Sequence, residues 1–414
     1  MDMEKRLFIE ALGIKIPWKI KSIDFNSKEN RLDINIDFIR GATFEYEDPN
    51  TKECDSYKVY DTIPKTWRHL NFFQYACYLN VRVPRIKPKS GGIKMIFPSF
   101  TGHTYGFTLL FEALILTLIK HAPVSQIGKI FNISDYKIWR LADCYVSKAL
   151  LFEDQSDVEK VGCDETALKK GHNYISLFVD LIKKKTIFVT EGKSSKTVKD
   201  FALALEQHNG NRNNIKDVSC DMSPAFIKGV REEFSEAKIT FDKFHIIKII
   251  NAGVDEVRRQ EVQTNPILKG ARYTLLKNNS NLTAKQKEQK TRLSSLNLKS
   301  IKALHIRENF QSIYQAKTLD EFKKLLKEWY FWASHSKLKP MIKAAKMVKN
   351  HWDGILRWKE SQINNGILEG LNSIIQAAKR KARGYKFNHF KTMVYLLTGK
   401  LNFNKLNSEL PTCF

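Results

Sequence analysis

A chain of 414 residues with 69 Lys and Arg against 44 Asp and Glu carries a formal charge of +25. That length implies two to four domains, and basic residues spread along it favour a long polyanion as partner, nucleic acid before a membrane surface. Residues 1–6 lack the apolar run of a signal peptide, residues 107–119 are too few to span a bilayer and contain Glu112, and six scattered cysteines without a CxxC pair argue against a disulfide framework.

A reducing cytoplasm, with the protein associated with the nucleoid and not with a membrane, is the expected setting. Residues 1–105 read as short, partly alternating strands, for example residues 32–38 and 79–83, closed by a basic turn at 87–92. From 106 to 152 the pattern is helical. A short amphipathic helix over 123–131, a turn at 132–134 with Ser134 as cap, and a second helix over 135–149 bearing Tyr136, Lys137 and Arg140 match a helix-turn-helix. An ordinary helical hairpin has the same pattern.

Residues 153–250 change to an α/β rhythm. A strand over 158–164 ends on Asp164, and residues 174–182 and 186–190 form a hairpin. A helix capped by Ser194 and stopped by Asn209-Gly210 follows. A strand over 218–221 then ends on Asp221, Ser223-Pro224 opens another helix, and a strand over 239–242 ends on Asp242. Residues 251–360 are helical, with tryptophans at 329, 332, 352 and 358; these read as an aromatic core, with a base-stacking role as the alternative.

The final long helix, from Gly366 to about Tyr385 within residues 361–403, places Glu369, Asn372, Gln376, Lys379, Arg380 and Arg383 on one face and Leu371, Ile374, Ile375, Ala378 and Ala382 on the opposite one. One carboxylate in line with amides and a row of cations suits a metal-bound phosphate and the backbone of a nucleic acid. A solvated face with a stray Glu is the plainer reading.

Three strands, a helix, a strand, a helix and a further strand is the order of an RNase H-like core, a mixed sheet flanked by helices. In that fold the first and fourth strands are parallel neighbours, so Asp164 and Asp221 would lie side by side, while Cys163 and Cys220 turn to the other face as small core residues. Converging carboxylates imply a hard divalent cation, Mg²⁺ or Mn²⁺. Two such ions suit an in-line phosphoryl transfer, which needs no covalent nucleophile. Glu165, next in the strand, would point away; Asp242 and His245 read first as a helix-capping Asp and a hydrogen-bonded His, with an accessory role in orienting metal or water as the alternative.

Several motifs make the pattern specific: Gly162-Cys163-Asp164-Glu165-Thr166-Ala167, Cys220-Asp221-Met222-Ser223-Pro224-Ala225-Phe226, Phe241-Asp242-Lys243-Phe244-His245 and Leu368-Glu369-Gly370-Leu371-Asn372. Together with Trp67-Arg68-His69-Leu70, His351-Trp352-Asp353-Gly354 and Lys379-Arg380-Lys381-Ala382-Arg383-Gly384-Tyr385, they resemble, in order, the motifs of insertion-sequence transposases of the ISL-three family. The likeness runs from about residue 40 to 403. It implies a DDE triad of Asp164, Asp221 and Glu369 as catalytic and metal-binding residues, with Asn372 a further accessory candidate and residues 251–360 as an all-α insertion in the catalytic core. Lys137, Arg140, Lys379, Arg380 and Arg383 are the expected DNA contacts. The family's N-terminal zinc module is expected here without zinc, because Glu45, Asp48, Pro88 and Gly91 occupy the places of its cysteine pairs and only Cys54 and Cys77 remain nearby.

The activity so implied is transposition: binding the element's terminal inverted repeats, cutting at its ends and joining the 3′-hydroxyls to target DNA, with a homo-oligomer, a dimer on DNA, as the acting form. A metal-dependent nuclease without strand transfer, and a non-catalytic DNA-binding protein descended from a transposase, are the competing readings.

Overall fold

The computed structural model describes residues 3–49, 51–104, 106–167, 174–361, 363 and 366–406. Among these the chain is mixed α/β, and its contacts divide it into two compact units. The first comprises Met1–Phe152, Ala377–Leu397 and Leu401–Phe414; the second comprises Glu153–Gln376 and Thr398–Lys400.

The first unit opens with a helix, α1 (Met3–Leu12), where sequence suggests only strands. Strands β1 (Trp18–Asn26), β2 (Arg31–Phe38), β3 (Thr43–Glu47), β4 (Cys54–Lys58), β5 (Asp61–Arg68), β6 (Ala76–Ile86) and β7 (Lys94–Met95) follow. The main sheet has the order β1-β2-β6-β5, with β7 on β6, and β3 and β4 form a separate hairpin. Strict alternation buries Leu32, Ile34, Ile36 and Phe38 of β2, and Cys77, Leu79, Val81 and Val83 of β6. Phe8, Ile9 and Leu12 of α1 pack against that core, which explains the helix: its inward positions recur at one-turn spacing. Glu45 and Asp48 belong to the β3 region and Cys77 to the core of the main sheet. Burial pushes the Cys77 thiol up to about 12.

Helices α2 (Leu109–Ile119), α3 (Val124–Phe131) and α4 (Asp135–Leu151) complete the N-terminal part. Thr108 caps α2 by accepting from the Phe111 N–H. Glu112 is fully buried; it accepts hydrogen bonds from the His103 N–H (2.8 Å), the Thr104 N–H (2.8 Å), the Thr104 hydroxyl and the Tyr145 hydroxyl (2.9 Å). Burial nonetheless raises its pKa. The α3–α4 turn is tight: Asn132 is left-handed, with φ 53° and ψ 49°. A Cβ on Gly128 would come within 2.7 Å of the Ile133 carbonyl. Ser134 occupies the N-cap of α4 as expected, but its hydroxyl makes no capping hydrogen bond.

The second unit begins with β8 (Lys160–Ala167), β9 (Tyr174–Asp180), β10 (Lys185–Glu191), α5 (Ser195–Gln207), β11 (Asp217–Cys220), α6 (Pro224–Glu233), β12 (Lys238–Phe241) and α7 (Lys243–Glu261). Its sheet has the order β10-β9-β8-β11-β12, antiparallel through β10, β9 and β8 and parallel through β8, β11 and β12. Helices α8 (Arg272–Leu276), α9 (Ala284–Ser294), α10 (Lys299–Ile313), α11 (Leu319–Ser334), α12 (Lys339–Asn350) and α13 (Trp352–Ser361) come next. One continuous hydrophobic cluster runs from Val158, just before β8, and Cys163 and Cys220 of the sheet through Ile250, Phe310 and Trp329 to Ile355. Trp329 is wholly buried, its indole N–H donating to the Ile306 carbonyl at 2.8 Å, and Trp352 and Trp358 pack against the cluster, while Trp332 is partly exposed.

Helices α14 (Gly366–Lys381) and α15 (Phe387–Thr398) close the chain, and the division between units falls inside α14. Within the first unit α15 pairs with α4: Trp139 stacks on His389 with ring centroids 4.1 Å apart, and the Thr392 hydroxyl donates to Asp143 at 2.5 Å. No described helix is long and apolar enough to cross a membrane. Five cysteines are free thiols, and Cys413 lies outside the described residues.

His69 follows buried Trp67 and Arg68 at the end of β5, and its Nδ1 lies 2.8 Å from the Thr108 hydroxyl. Burial, and then the Arg68 charge, push its pKa down to about 4. The folded state therefore rejects a proton that the unfolded chain accepts near its ordinary value of about 6.5. This contribution to stability is complete above that value and declines as pH falls towards 4, by up to about 3 kcal/mol. Thermal unfolding followed from pH 7 to 4 should show this acid loss in the parent protein and a shallower one in His69→Gln; equal slopes would exclude His69 as its source.

Candidate active site

Asp164 sits in β8, opposite Leu177 of β9. The strand does not stop at this carboxylate, as its sequence suggests, but continues to Ala167. β8 pairs with β11 through Ser219 and Gly162, so two more residues along both parallel strands bring Asp221 level with Asp164. Asp221 follows the end of β11 and accepts from the Ser223 N–H at 2.9 Å, just ahead of α6; the Ser223 hydroxyl, at the N-cap, makes no capping hydrogen bond. Period-two alternation sends Cys163 and Cys220 into the core behind, each 1% exposed.

Helix α14 brings the third carboxylate. Its docking differs from the amphipathic reading of its sequence: Leu368 and Ile375 are buried, Ile374 is 47% exposed, and the polar Asn372 and Gln376 turn towards β8. The Asn372 amide donates to Asp164 Oδ2, and the Gln376 amide donates to the Thr166 hydroxyl. Leu368, one turn before Asn372, lies over Gly162, where an added Cβ would fall 2.9 Å from the Leu368 Cδ1. Leu368 also packs with Val179, Leu181 and Ile363. Glu369 is therefore carried on an exposed position of the first turn of a helix whose neighbouring residue is locked to the sheet.

Asp164, Asp221, Glu369, Asp242, His245 and Asn372 line one cleft of about 240 Å³. Asp242 caps α7, accepting from the Phe244 N–H at 2.8 Å, and His245 occupies the first turn of that helix. Burial raises the Asp164 pKa; the Glu165 N–H, donating at 2.8 Å, and His245 oppose the rise, and Asp221 and Asp242 add to it. Glu165 does not line the cleft, yet after burial the Asp221 carboxylate is the next cause raising its pKa, so it lies within the field of the acidic group. Among the described residues no three His, Cys, Asp or Glu side chains are gathered closely enough to form a metal-holding group. The donor chemistry nonetheless fits a hard divalent cation: carboxylate oxygens from within β8, from just after β11 and from α14, together with the Asn372 Oδ1, which is buried and has no hydrogen-bond partner among the described residues.

Of the basic residues singled out in sequence, Lys137 and Arg140 are exposed on α4. Lys379 and Arg380 are in the last turn of α14, but Arg383 lies beyond its end. The helix finishes at Lys381, and Arg383 is left-handed with φ 58°. The Gly384 N–H donates to the Lys379 carbonyl (3.3 Å) and the Arg383 N–H to the Arg380 carbonyl (3.2 Å). That is a Schellman ending with arginine where glycine is usual, so Arg383 is not on the helical face shared by Lys379 and Arg380.

Residues 161–394 match the family model for DDE transposases of the ISL3 type, described as "Transposase". The transposase for insertion sequence element IS1001 of Bordetella parapertussis is 25% identical over 338 residues, covering 80% of this chain and 83% of that protein. The transposase for insertion sequence element IS1557 of Mycobacterium tuberculosis is 21% identical over 355 residues, covering 78% of each. With the family match spanning more than half of its length, the chain belongs to the ISL3 family of insertion-sequence transposases.

The close approach of Leu368 to Gly162 is open to test. Gly162→Val should destabilise the second unit by about 1–3 kcal/mol through overpacking. Combined with Leu368→Ala, the two costs should fall short of additive, since the truncation relieves the clash with Leu368 while Leu181, 2.8 Å from the added Cβ, keeps its own. Strict additivity in denaturant unfolding would mean that helix and strand do not meet at this pair.

Proposed function

We propose that this family member is an active DNA transposase that binds the terminal inverted repeats of its element, cuts at their ends and transfers the 3′-hydroxyl strands to target DNA. The observation carrying the reading is the shared cleft, which draws Asp164, Asp221 and Glu369 from positions 57 and 148 residues apart in sequence to one place. The strand order β10-β9-β8-β11-β12, with its change from antiparallel to parallel pairing at β8, supports an RNase H-like core. In that core residues 153–250 and 361–403 form the catalytic domain and 251–360 an inserted helical part. The tight α3–α4 turn over Gly128 supports a helix-turn-helix within 106–152, following the β-rich module of 1–105.

Asp164, Asp221 and Glu369 would hold Mg²⁺ or Mn²⁺, two ions in the full site, supplying the positive charge that activates the attacking oxygen and stabilises the leaving one. The chain's own contribution is orientation. The Glu165 N–H and the Asn372 amide fix the Asp164 carboxylate, the Ser223 N–H fixes that of Asp221, and the docking of Leu368 sets the helix carrying Glu369. Asp242 and His245 present an acceptor and an imidazole to the same cleft for holding water. DNA is the partner, gripped by Lys137 and Arg140 on α4 and by Lys379, Arg380 and Arg383 at the end of α14; a dimer is the acting form.

Purified protein incubated with Mg²⁺ and DNA carrying its element's ends should yield joined products. Cleavage without joining would identify a nuclease, and binding alone a non-catalytic descendant. Asp164→Ala, Asp221→Ala and Glu369→Ala should each reduce cleavage by about 100-fold or more, beyond the usual loss from a merely supporting partner, while end-DNA binding persists; substantial cleavage by any of the three would remove it from the triad.

Binding measured across a salt series tests the cationic contacts. Each of Lys137→Ala, Arg140→Ala, Arg380→Ala and Arg383→Ala should lower affinity and make the dependence of log K on log salt shallower by about one unit. An unchanged slope with a lower melting temperature would assign that residue to packing.

A further inference from the structure

The cleft leaves one polar atom unaccounted for. The Asn372 Nδ2 donates to Asp164 Oδ2, while its Oδ1 is buried without a partner. The opposite amide orientation would set two acceptor oxygens against each other, so the hydrogen bond to Asp164 fixes which end of the amide is left over. Of the other polar side chains lining the cleft, Asp164, Asp221, Asp242 and Glu369 are acceptors when ionised, Cys163 and Cys220 carry weakly donating thiols, and His245 is the one with an N–H to give. A buried carbonyl oxygen among carboxylates lacks what they also lack, a positive centre.

We infer that Asn372 supplies a neutral oxygen donor, through Oδ1, to the divalent cation held by Asp164. An amide oxygen is a hard ligand of the type Mg²⁺ and Mn²⁺ take, and it adds a donor without adding a negative charge to a cleft already lined by four carboxyl groups. Its placement is set by the fold: Asn372 is the middle member of the row Leu368, Asn372 and Gln376, so one turn of helix on each side anchors it to β8. Gln376 lies in the same row but meets the Thr166 hydroxyl and does not line the cleft. It shares the anchoring role and not the ligand role.

The inference rests on the reading of Asp164 as a metal ligand, and the experiment separates the two. Binding of Mn²⁺ alone to the full chain is measured by the loss of the free-ion electron paramagnetic resonance signal, with thermal unfolding recorded with and without Mn²⁺. Asp164→Ala should abolish tight Mn²⁺ binding; wild-type binding by this variant would overturn the metal-ligand reading itself. Asn372→Ala should weaken Mn²⁺ binding about 10-fold or more. Gln376→Ala, which removes an anchor but no donor, should weaken Mn²⁺ binding less than Asn372→Ala even if its melting temperature falls as far; the reverse order would overturn the donor role of Asn372. Asn372→Asp restores an oxygen donor but sets a second carboxylate against Asp164. It should melt below wild type without metal, gain more from Mn²⁺ than wild type does, and bind the ion at least as tightly. If Asp164→Ala loses the ion while Asn372→Ala keeps wild-type affinity, or if Asn372→Asp loses affinity as Asn372→Ala does, the donor role of Asn372 is overturned.

Discussion

Two different backbone repeats come into step where α14 lies on β8. Four residues of helix rise about 6 Å, and two residues of strand about 6.6 Å. Leu368, Asn372 and Gln376 therefore fall over Gly162, Asp164 and Thr166, one turn against one pleat repeat, for three successive pairs. The first pair is apolar and close, made possible by the missing Cβ of glycine; the next two are hydrogen bonds from side-chain amides to oxygen acceptors. This row fixes the rotation and the sliding position of the helix together. The orientation of Glu369, next to Leu368, follows from it.

The same contact explains how a carboxylate is kept inside the protein. Removing Asp164 from water disfavours its charged form, and neighbouring carboxylates disfavour it further. Against this stand the Glu165 N–H and the Asn372 amide. Along α14 the charges also suit the helix itself, since Glu369 is in the first turn and Lys379, Arg380 and Lys381 are in the last, each at the end of the macrodipole that favours it. The charge pattern thus has a local structural cause whatever else it serves.

Much of this architecture could be read from local pattern. The alternation of β2 and β6, the hairpin of β9 and β10, the left-handed stop at Asn209 and the α3–α4 turn all depend on neighbours within a few residues. The readings that failed were those in which distant residues decide. Asp164 and Thr166 look like the polar end of a strand because their partners lie 208 and 210 residues further on. Ile374 reads as inward because apolarity is the ordinary signal for burial, but with Asn372 and Gln376 turned to β8 it is left 47% exposed. Helix α1 is short enough that its inward residues Phe8, Ile9 and Leu12 give little periodicity to count. Cleft membership was legible for Asp164, Asp221, Asp242, His245, Glu369 and Asn372 because motifs marked them; the unpartnered state of the Asn372 oxygen was not, since it depends on what is missing around an atom.

The sheet of the second unit and the helices of residues 251–360 share one hydrophobic cluster. On the sheet's outer edge, Gly354 of α13 sits where a Cβ would fall 2.4 Å from the Phe241 ring of β12. These helices cannot be treated as cargo. Excising them would strip the covering from β12, leaving a bare strand edge and an apolar face open to other chains. The shortened protein would be prone to self-association before any question of chemistry arose, and natural variation in this segment should be easier in its exposed turns than in the length of its helices.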